Sequence, residues 1–494
     1  MATSLAPTRS YSDAVTALNT LQTNFSVLDA IRKSGKKMNH QAIPEMIEWV
    51  RRIGYKPSDF NKLNIIHVAG TKGKGSTCAF TSSILSQYRR DPGTFSISKI
   101  GMYTSPHLRA VRERIQLDGE SLSESLFAKY FFQVWERMEA SATAEGHDPT
   151  VKPVYFRFLT LVAFHTYMEE GVDTAIFEVG VGGEYDSTNI IEKPTVAGIT
   201  SLGIDHVSVL GATIEEIAWH KAGVIKPMCP VFTVEQAGSA LEVIEKRAKE
   251  NNSKLGVVGV HPAIAANEVK LGLSAEYQKA NASLAAALAA EHLKALGVEV
   301  GFAQDSPLPK FFKRGLENVV WPGRCQIKQE GAIEWCIDGA HTVESLEVAG
   351  KWFAGRVDKD DKRKRVLIFN QQVRDSTALI SSLANSLKQV LGDSVPLFDH
   401  AVFCTNVTWK GNGYKVDLAS HGSDPNAVAE LVVQKVLAAA WAEETSGPGS
   451  KSVTHVLPTI EDAVRVVKDI EGEVQVFVTG SLHLVGGVLE VLDP

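Results

Sequence analysis

The chain has 494 residues, 44% of them apolar and 22% charged. This is ordinary globular composition with ample material for buried cores, and at roughly 150 residues per domain the length allows two or three. Its 51 basic and 57 acidic side chains leave a net charge of −6, which excludes a generally cationic nucleic-acid binder but leaves room for a local basic site. No run approaches the roughly 18 apolar residues of a membrane-spanning helix. Five scattered cysteines without a C-x-x-C pair argue against a disulfide framework or structural zinc, and for a reducing compartment.

In chain order, residues 1–25 are rich in Ser and Thr and poor in acids, with Arg9 as their only basic residue. They lack the apolar core of a secretory signal and have fewer arginines than a mitochondrial presequence usually carries. The run 64–69 (NIIHVA) predicts a buried strand ending in a Gly-rich turn, then an apolar helix over about 76–88. Helices are expected at 123–140 and 153–169, and strands at 173–179 and 195–200. A helix near 213–222 opens with Thr213 as N-cap and Glu216 three residues on, a capping-box pattern. An Ala-rich helix follows over about 276–296.

Around 303–323 the texture changes to QDSPLPKFFKRGLENVVWPG, whose prolines and glycines mark a candidate domain junction. Beyond it, strand-like runs at 333–337, 366–370, 400–404 and 474–479 alternate with helical patterns. The cluster DKDDKRKR at 358–365 reads as a solvated loop, and 442–453 as a surface loop.

The strongest chemical signal is GTKGKGST at 70–77, between a predicted strand and a predicted helix. Backbone amides at a helix start, which glycine allows a ligand to approach closely, form an anion cradle. Lys74 would reach the β/γ-phosphates, and Ser76 or Thr77 would contact phosphate or magnesium. The match to G-x-x-x-x-G-K-[ST] is imperfect: Val68 stands where the first glycine belongs, and Gly75 replaces the hydroxyl residue after the lysine. Three later residues offer metal ligands near strand ends: Ser105 in YTSPHL, Glu178 before glycines 180, 182 and 183, and His206 in SLGIDH. Those glycines are expected to leave the backbone open. In the second half, Arg324 in WPGR and Asp338 in CIDGAH suit phosphate and ribose or adenine contacts. An Arg324–Asp338 salt bridge pinning two strands is the plainer reading. The FVTGSLHLVGG segment, with Ser481 at its turn, could hold an anion such as a carboxylate or be a plain βα loop.

GTKGKGST, YTSPHL, FEVGVGGEYDSTN, SLGIDH, IAWHKAG, WPGR, DGAH and VTGSLHLVGG, in this order over nearly the whole chain, resemble the folylpolyglutamate synthases of the Mur ligase superfamily. TSPHL with LGIDH and DGAH narrows the resemblance to the folate branch. YFRFLT at 155–160 and the long N-terminus favour the eukaryotic type. The resemblance implies an α/β fold class, with an N-terminal P-loop ATPase domain of mostly parallel sheet over 1–319 and a smaller C-terminal Rossmann-like domain over 320–494. It implies that Gly73, Lys74, Gly75 and Ser76 bind phosphate, with Asn281, Arg324 and Asp338 as further ATP contacts. Ser105, Glu178 and His206 would be magnesium ligands, and His341 and Ser481 would handle glutamate. Lys221 in IAWHKAG matches a lysine that is carbamylated in the superfamily and helps hold a second magnesium. One departure is visible: EYQKANA has Tyr277 where the family often has histidine, while Gln278 and Asn281 are kept.

The implied activity is ATP-dependent addition of L-glutamate to the γ-carboxylate of tetrahydrofolate or a folate polyglutamate, through an acyl phosphate. Two magnesium ions are implied and a potassium ion is allowed. The expected partners are ATP, L-glutamate and folates, with neither nucleic acid nor membrane. A cytoplasmic monomer is expected, with a mitochondrial fraction allowed. Dividing the ATP contacts between two domains implies closure over the substrates. Two rival readings are a bifunctional dihydrofolate/folylpolyglutamate synthase and a non-catalytic P-loop regulator. The latter leaves DGAH and the C-terminal Gly turn unexplained.

Overall fold

A computed structural model describes residues 9–22, 40–89, 97–358, 362–372, 375–392, 396–410, 428, 430–446 and 452–493. Of residues 1–25, read above for targeting signals, only 9–22 are described. Residues 359–361 of the charge cluster and 447–451 of the expected surface loop lie outside the described residues. The chain divides into two compact units. One comprises Met1–His107, Val111–Gly272 and Gln278–Val320, and the other Leu108–Ala110, Leu273–Tyr277 and Trp321–Pro494.

The first unit is built around an eight-stranded sheet: β1 (Ile65–Ala69), β2 (Ile100–Tyr103), β3 (Ile115–Leu117), β4 (Glu120–Ser121), β5 (Thr174–Glu178), β6 (Val196–Ile199), β7 (Val231–Val234) and β8 (Leu255–Val258), in the order β4-β3-β2-β5-β1-β6-β7-β8. β2, β5, β1, β6, β7 and β8 run parallel, and β3 and β4 are antiparallel additions at one edge. All five residues of β1 are buried, as a strand covered on both faces requires. Among them His67 bonds the Thr188 hydroxyl at 2.9 Å. Its burial lowers its pKa to about 3, so the imidazole is neutral.

The helix Lys74–Arg89 follows β1, and the expected capping box is formed at the start of Ile214–Lys221 by Thr213 and Glu216. The expected junction segment holds an additional helix, Lys310–Asn318, within the first unit. Phe312, Gly315 and Leu316 form its buried stripe. A Cβ on Gly315 would lie 2.5 Å from Ile84 Cα, and Ser83 donates to the Gly315 carbonyl at 2.7 Å. Gly315 thus permits close helix packing.

The second unit has six strands: β9 (Gln326–Glu330), β10 (Ile333–Ile337), β11 (Lys364–Phe369), β12 (His400–Cys404), β13 (Val453–Leu457) and β14 (Val474–Thr479), in the order β13-β12-β11-β14-β10-β9. All pairs are parallel except β9 with β10. One face is packed by residues such as Phe353, Leu383 and Phe477, and the other by Val464, Leu484 and Val488. All five cysteines are free and buried. Among the described residues no helix is long and apolar enough to cross a membrane.

Candidate active site

In the first sheet β1 lies between β5 and β6, with Val68 level with Glu178 and Ala69 level with Ile199. The loops that leave the carboxyl ends of these strands therefore converge, as in open parallel sheets generally. The Thr71 and Lys72 amides donate to the Ser201 carbonyl at 3.0 and 3.1 Å, which latches the glycine-rich loop to the segment after β6. Gly70 has φ +147° and Gly73 φ +90°. A Cβ on Gly70 would lie 1.8 Å from Thr200 Oγ1, and one on Gly73 would lie 2.2 Å from Asn281 Oδ1. Both positions therefore require glycine for conformation and for space. The helix begins at Lys74, so its first-turn amides have no intrahelical acceptor and can serve an anion.

Three lysines surround this loop. Lys74 Nζ donates to the Gly70 carbonyl at 3.1 Å, and Lys221 Nζ donates to the same oxygen at 2.8 Å. Lys72 pairs with Asp205 at 3.3 Å. Lys221 is buried, and desolvation, reinforced by the charge of Lys74, pushes its pKa well below the ordinary lysine value. It ends the helix Ile214–Lys221, which the GVGGEYD loop grips closely. The Glu184 amide donates to the His220 carbonyl at 2.7 Å, and a Cβ on Gly183 would lie 2.6 Å from that oxygen. The Phe156 ring covers Gly180, 2.4 Å from where a Cβ would be. Glycines 180 and 183 therefore serve close packing, and the expectation of an open backbone is corrected there.

Glu178 is buried at the end of β5 and accepts the Ser105 amide at 3.1 Å, so these two oxygen-bearing residues are brought together. His206 lies after β6 at φ +52°, exposed, with its amide on Asp205 Oδ1 at 2.9 Å. Among the described residues no group of three or more His, Cys, Asp or Glu is disposed to hold a metal. A serine and a carboxylate at adjacent strand ends instead suit a hard cation that keeps several waters, such as magnesium. One turn into the loop's helix, the Thr77 hydroxyl is buried with no hydrogen-bond partner among the described residues.

Asn281 and Gln278 reach the glycine-rich loop and its helix from the Ala-rich helix Gln278–Ala295. Asn281 Nδ2 donates to Gln278 Oε1 at 2.8 Å, and Gln278 Nε2 donates to Ser76 Oγ at 3.1 Å. Nearby aromatic residues begin the helix Tyr155–Glu169: the Arg114 guanidinium lies over the Tyr155 ring at 5.5 Å and donates to His107 Nδ1 at 2.9 Å.

In the second unit, the carboxyl ends of β10 and β14 carry the remaining candidates. Asp338 is buried, and its Oδ2 accepts the Cys325 amide while its Oδ1 accepts the Ala340 amide, at 2.8 and 2.9 Å. Burial pushes the Asp338 pKa up, against the opposing charge of Arg324. The alternative reading, an Arg324–Asp338 salt bridge, is not formed. Backbone amides occupy the carboxylate, and Arg324 Nη1 lies 3.4 Å from the Gly323 carbonyl and over Gly339, where a Cβ would be 2.5 Å away. His341 Nδ1 contacts the Gly339 carbonyl at 3.1 Å. Ser481 caps the helix Leu482–Leu492, accepting the Leu484 amide at 3.1 Å, and the Gly480 amide donates to the Ala340 carbonyl at 3.0 Å. The loops of His341 and Ser481 are therefore joined.

A folylpolyglutamate synthase of Saccharomyces cerevisiae (strain S288c) is 47% identical over 98% of this chain and 87% of its own length. The chain belongs to the folylpolyglutamate synthase family. Residues 324–491 also match the family model of the dihydrofolate synthetase C-terminal domain. Among solved structures, Mycobacterium tuberculosis folylpolyglutamate synthase complexed with ADP has the same fold, with a TM-score of 0.69 and 22% identity over 98% of this chain and 99% of that one. A Thermotoga maritima folylpolyglutamate synthase matches with a TM-score of 0.62 and 23% identity over 92% and 97%.

For this member of the family, two groups of expected residues assemble separately. Gly73, Lys74, Gly75, Ser76, Ser105, Glu178, His206, Lys221 and Asn281 belong to the first unit, and Arg324, Asp338, His341 and Ser481 to the second. Sequence reasoning kept Gln278 as a motif letter but missed its bond to Ser76, and it missed Asp205 and Phe156. Their signals were present: Gln278 is three residues before Asn281, Asp205 precedes His206, and Phe156 lies in YFRFLT.

Proposed function

We propose that this protein joins L-glutamate to the γ-carboxylate of tetrahydrofolate and its polyglutamates, consuming ATP and releasing ADP and phosphate. The single observation that carries this reading is the loop at 70–77, with two glycine-only positions, a helix start and two lysine amines on one carbonyl, in a chain of this family. A free carboxylate is a poor electrophile because its leaving group would be oxide. Transfer of the γ-phosphoryl group makes an acyl phosphate, which the glutamate amine attacks with loss of phosphate.

In this reading the amides of Gly73, Lys74, Gly75 and Ser76 receive the phosphates, and Lys74 neutralises charge developing on the transferred group. In the second unit, Arg324 is the candidate cation for nucleotide phosphate, and Asp338 the candidate acceptor of a hydrogen bond from ribose or adenine. Asn281 shapes the loop by filling the space over Gly73. His341 is the candidate to position the glutamate amine or accept its proton; its Nδ1 faces the Gly339 carbonyl at 3.1 Å, which only accepts and so favours the Nδ1–H tautomer of a neutral ring. Ser481 is the candidate partner for the glutamate carboxylate. Ser105, Glu178 and His206 would hold magnesium, which when bound neutralises phosphate charge. Lys221, buried and biased towards its neutral amine, is suited to carbamylation, which would set an anionic head beside Lys74 and contribute to a second cation site.

The test is ADP release by purified protein with tetrahydrofolate, with and without L-glutamate. Glutamate-dependent release supports the ligase. Nucleotide binding without it points to a regulator. A parallel arm with dihydropteroate, motivated by the family-model match over 324–491, separates the bifunctional reading.

A further inference from the structure

Asp338 is the proposed nucleotide acceptor of the second unit, and its own surroundings limit how it can act. A carboxylate offers about four lone-pair sites. The Cys325 amide and thiol both approach Oδ2, at 2.8 and 3.4 Å, and the Ala340 amide takes Oδ1 at 2.9 Å. Three donors leave room for about one more, which matches a single hydrogen bond from a ribose hydroxyl or an adenine amine.

The double contact from Cys325 depends on an unusual backbone. Cys325 has φ +46°, a left-handed conformation that a non-glycine residue adopts only when its surroundings hold it there. Behind it, Tyr277 Oη lies 3.3 Å from Cys325 Sγ. Tyr277 belongs to the short segment Leu273–Tyr277 that joins this unit. A carboxylate cannot donate, so the thiol proton points to Asp338 and the phenol proton to sulfur. The direction of the chain is Tyr277 O–H to Cys325 S–H to Asp338 carboxylate.

We infer that Tyr277 and Cys325 are positioning residues for nucleotide binding. They hold Asp338 in one orientation and occupy one of its acceptor sites, so that a single site remains for the ligand. Tyr277 stands where the family often has histidine. Tyr277 acts on Asp338 through the sulfur of Cys325, and neither side chain is required to touch the nucleotide. This inference rests on the reading of Asp338 as a nucleotide contact.

The experiment measures KM for ATP and for glutamate, kcat, ADP affinity by calorimetry, and melting without nucleotide. The variants are Tyr277→Phe, Cys325→Ala, Cys325→Ser, Asp338→Asn and the double Tyr277→Phe/Cys325→Ala. Tyr277→Phe and Cys325→Ala should each raise KM for ATP and weaken ADP binding about threefold to tenfold, the loss typical of one hydrogen bond. The KM for glutamate and kcat should stay within about twofold, the double variant should be no worse than the more affected single, and Cys325→Ser should restore binding. Unchanged ATP and ADP affinity in Tyr277→Phe, an equal rise in both KM values, or additive losses in the double variant would overturn the inference. If Tyr277→Phe does not fold, the contrast of Cys325→Ala with Cys325→Ser decides. Asp338→Asn separates the two levels. Normal ATP affinity in that variant removes the nucleotide reading and this inference together, whereas impairment there with a normal Tyr277→Phe removes only the positioning role.

Discussion

Replacing Gly73 by alanine tests the glycine-rich loop where it meets Asn281. The new Cβ would lie 2.2 Å from Asn281 Oδ1, 2.9 Å from its Cγ and 3.0 Å from its Nδ2. Asn281 must then swing away, which breaks its 2.8 Å bond to Gln278 and loosens the 3.1 Å bond from Gln278 to Ser76. Leaving the buried Gln278 oxygen unsatisfied costs about 1–3 kcal/mol. Holding alanine at φ +90° adds about 1–2 kcal/mol. A loss of about 2–5 kcal/mol is therefore expected, large against a typical total of about 5–15 kcal/mol. Urea unfolding of Gly73→Ala, Asn281→Ala and the double variant measures it, with KM for ATP read alongside. The double variant should recover the steric share, giving a coupling of about 1 kcal/mol or more, because Asn281→Ala removes the atoms in the way. A Gly73→Ala protein within 0.5 kcal/mol of the parent by the usual surface-substitution margin, or an additive cycle, would refute the reasoning.

The other predictions address the metal, the buried amine and pH. Glu178→Gln removes the carboxylate beside Ser105 and should raise the magnesium concentration for half-maximal activity about tenfold or more, by analogy with other lost charged contacts; an unchanged titration curve would end its assignment. Lys221 should take up ¹³C-labelled bicarbonate as a carbamate signal in NMR, and Lys221→Arg should lose both the signal and activity. A labelled Lys221→Arg spectrum identical to the parent's would assign the signal elsewhere. His67 and His292 are buried with pKa values lowered to about 3 from 6.5, so the unfolded chain takes up protons first as pH falls. Their contribution is complete above pH 6.5 and declines towards pH 3, at about 1.4 kcal/mol per pH unit for each group. Urea midpoints between pH 7.5 and 4.5 should show this fall, and a flat profile would contradict it.

The sequence made the local grammar legible. β1 is a buried run, apolar but for His67, Thr213 and Glu216 cap their helix as their spacing suggested, and the glycine loop joins strand to helix. It could not reveal where distant side chains land. The atoms that exclude a side chain at Gly73 belong to Asn281, more than 200 positions away, and Lys72 meets Asp205 through a turn whose geometry depends on the sheet order. β9, read as QIKQE, has too little apolar content to signal a strand and is held by its pairing with β10. The alternative of an Arg324–Asp338 salt bridge is not realised: backbone amides bond both carboxylate oxygens, and Arg324 Nη1 lies 3.4 Å from the Gly323 carbonyl. Charge complementarity in sequence says nothing of competing main-chain donors.

The Gly70 carbonyl shows how a backbone oxygen can divide labour between identical side chains. Two lysines approach it, and at the buried Lys221 desolvation, reinforced by the charge of Lys74, pushes the pKa well below the ordinary lysine value. Under the proposed function Lys74, at the start of the helix, is the electrostatic partner for an anion, and Lys221 is the amine suited to carbamylation. Exchanging the two amines would require exchanging their surroundings, so the chemistry of each is a property of the fold rather than of lysine.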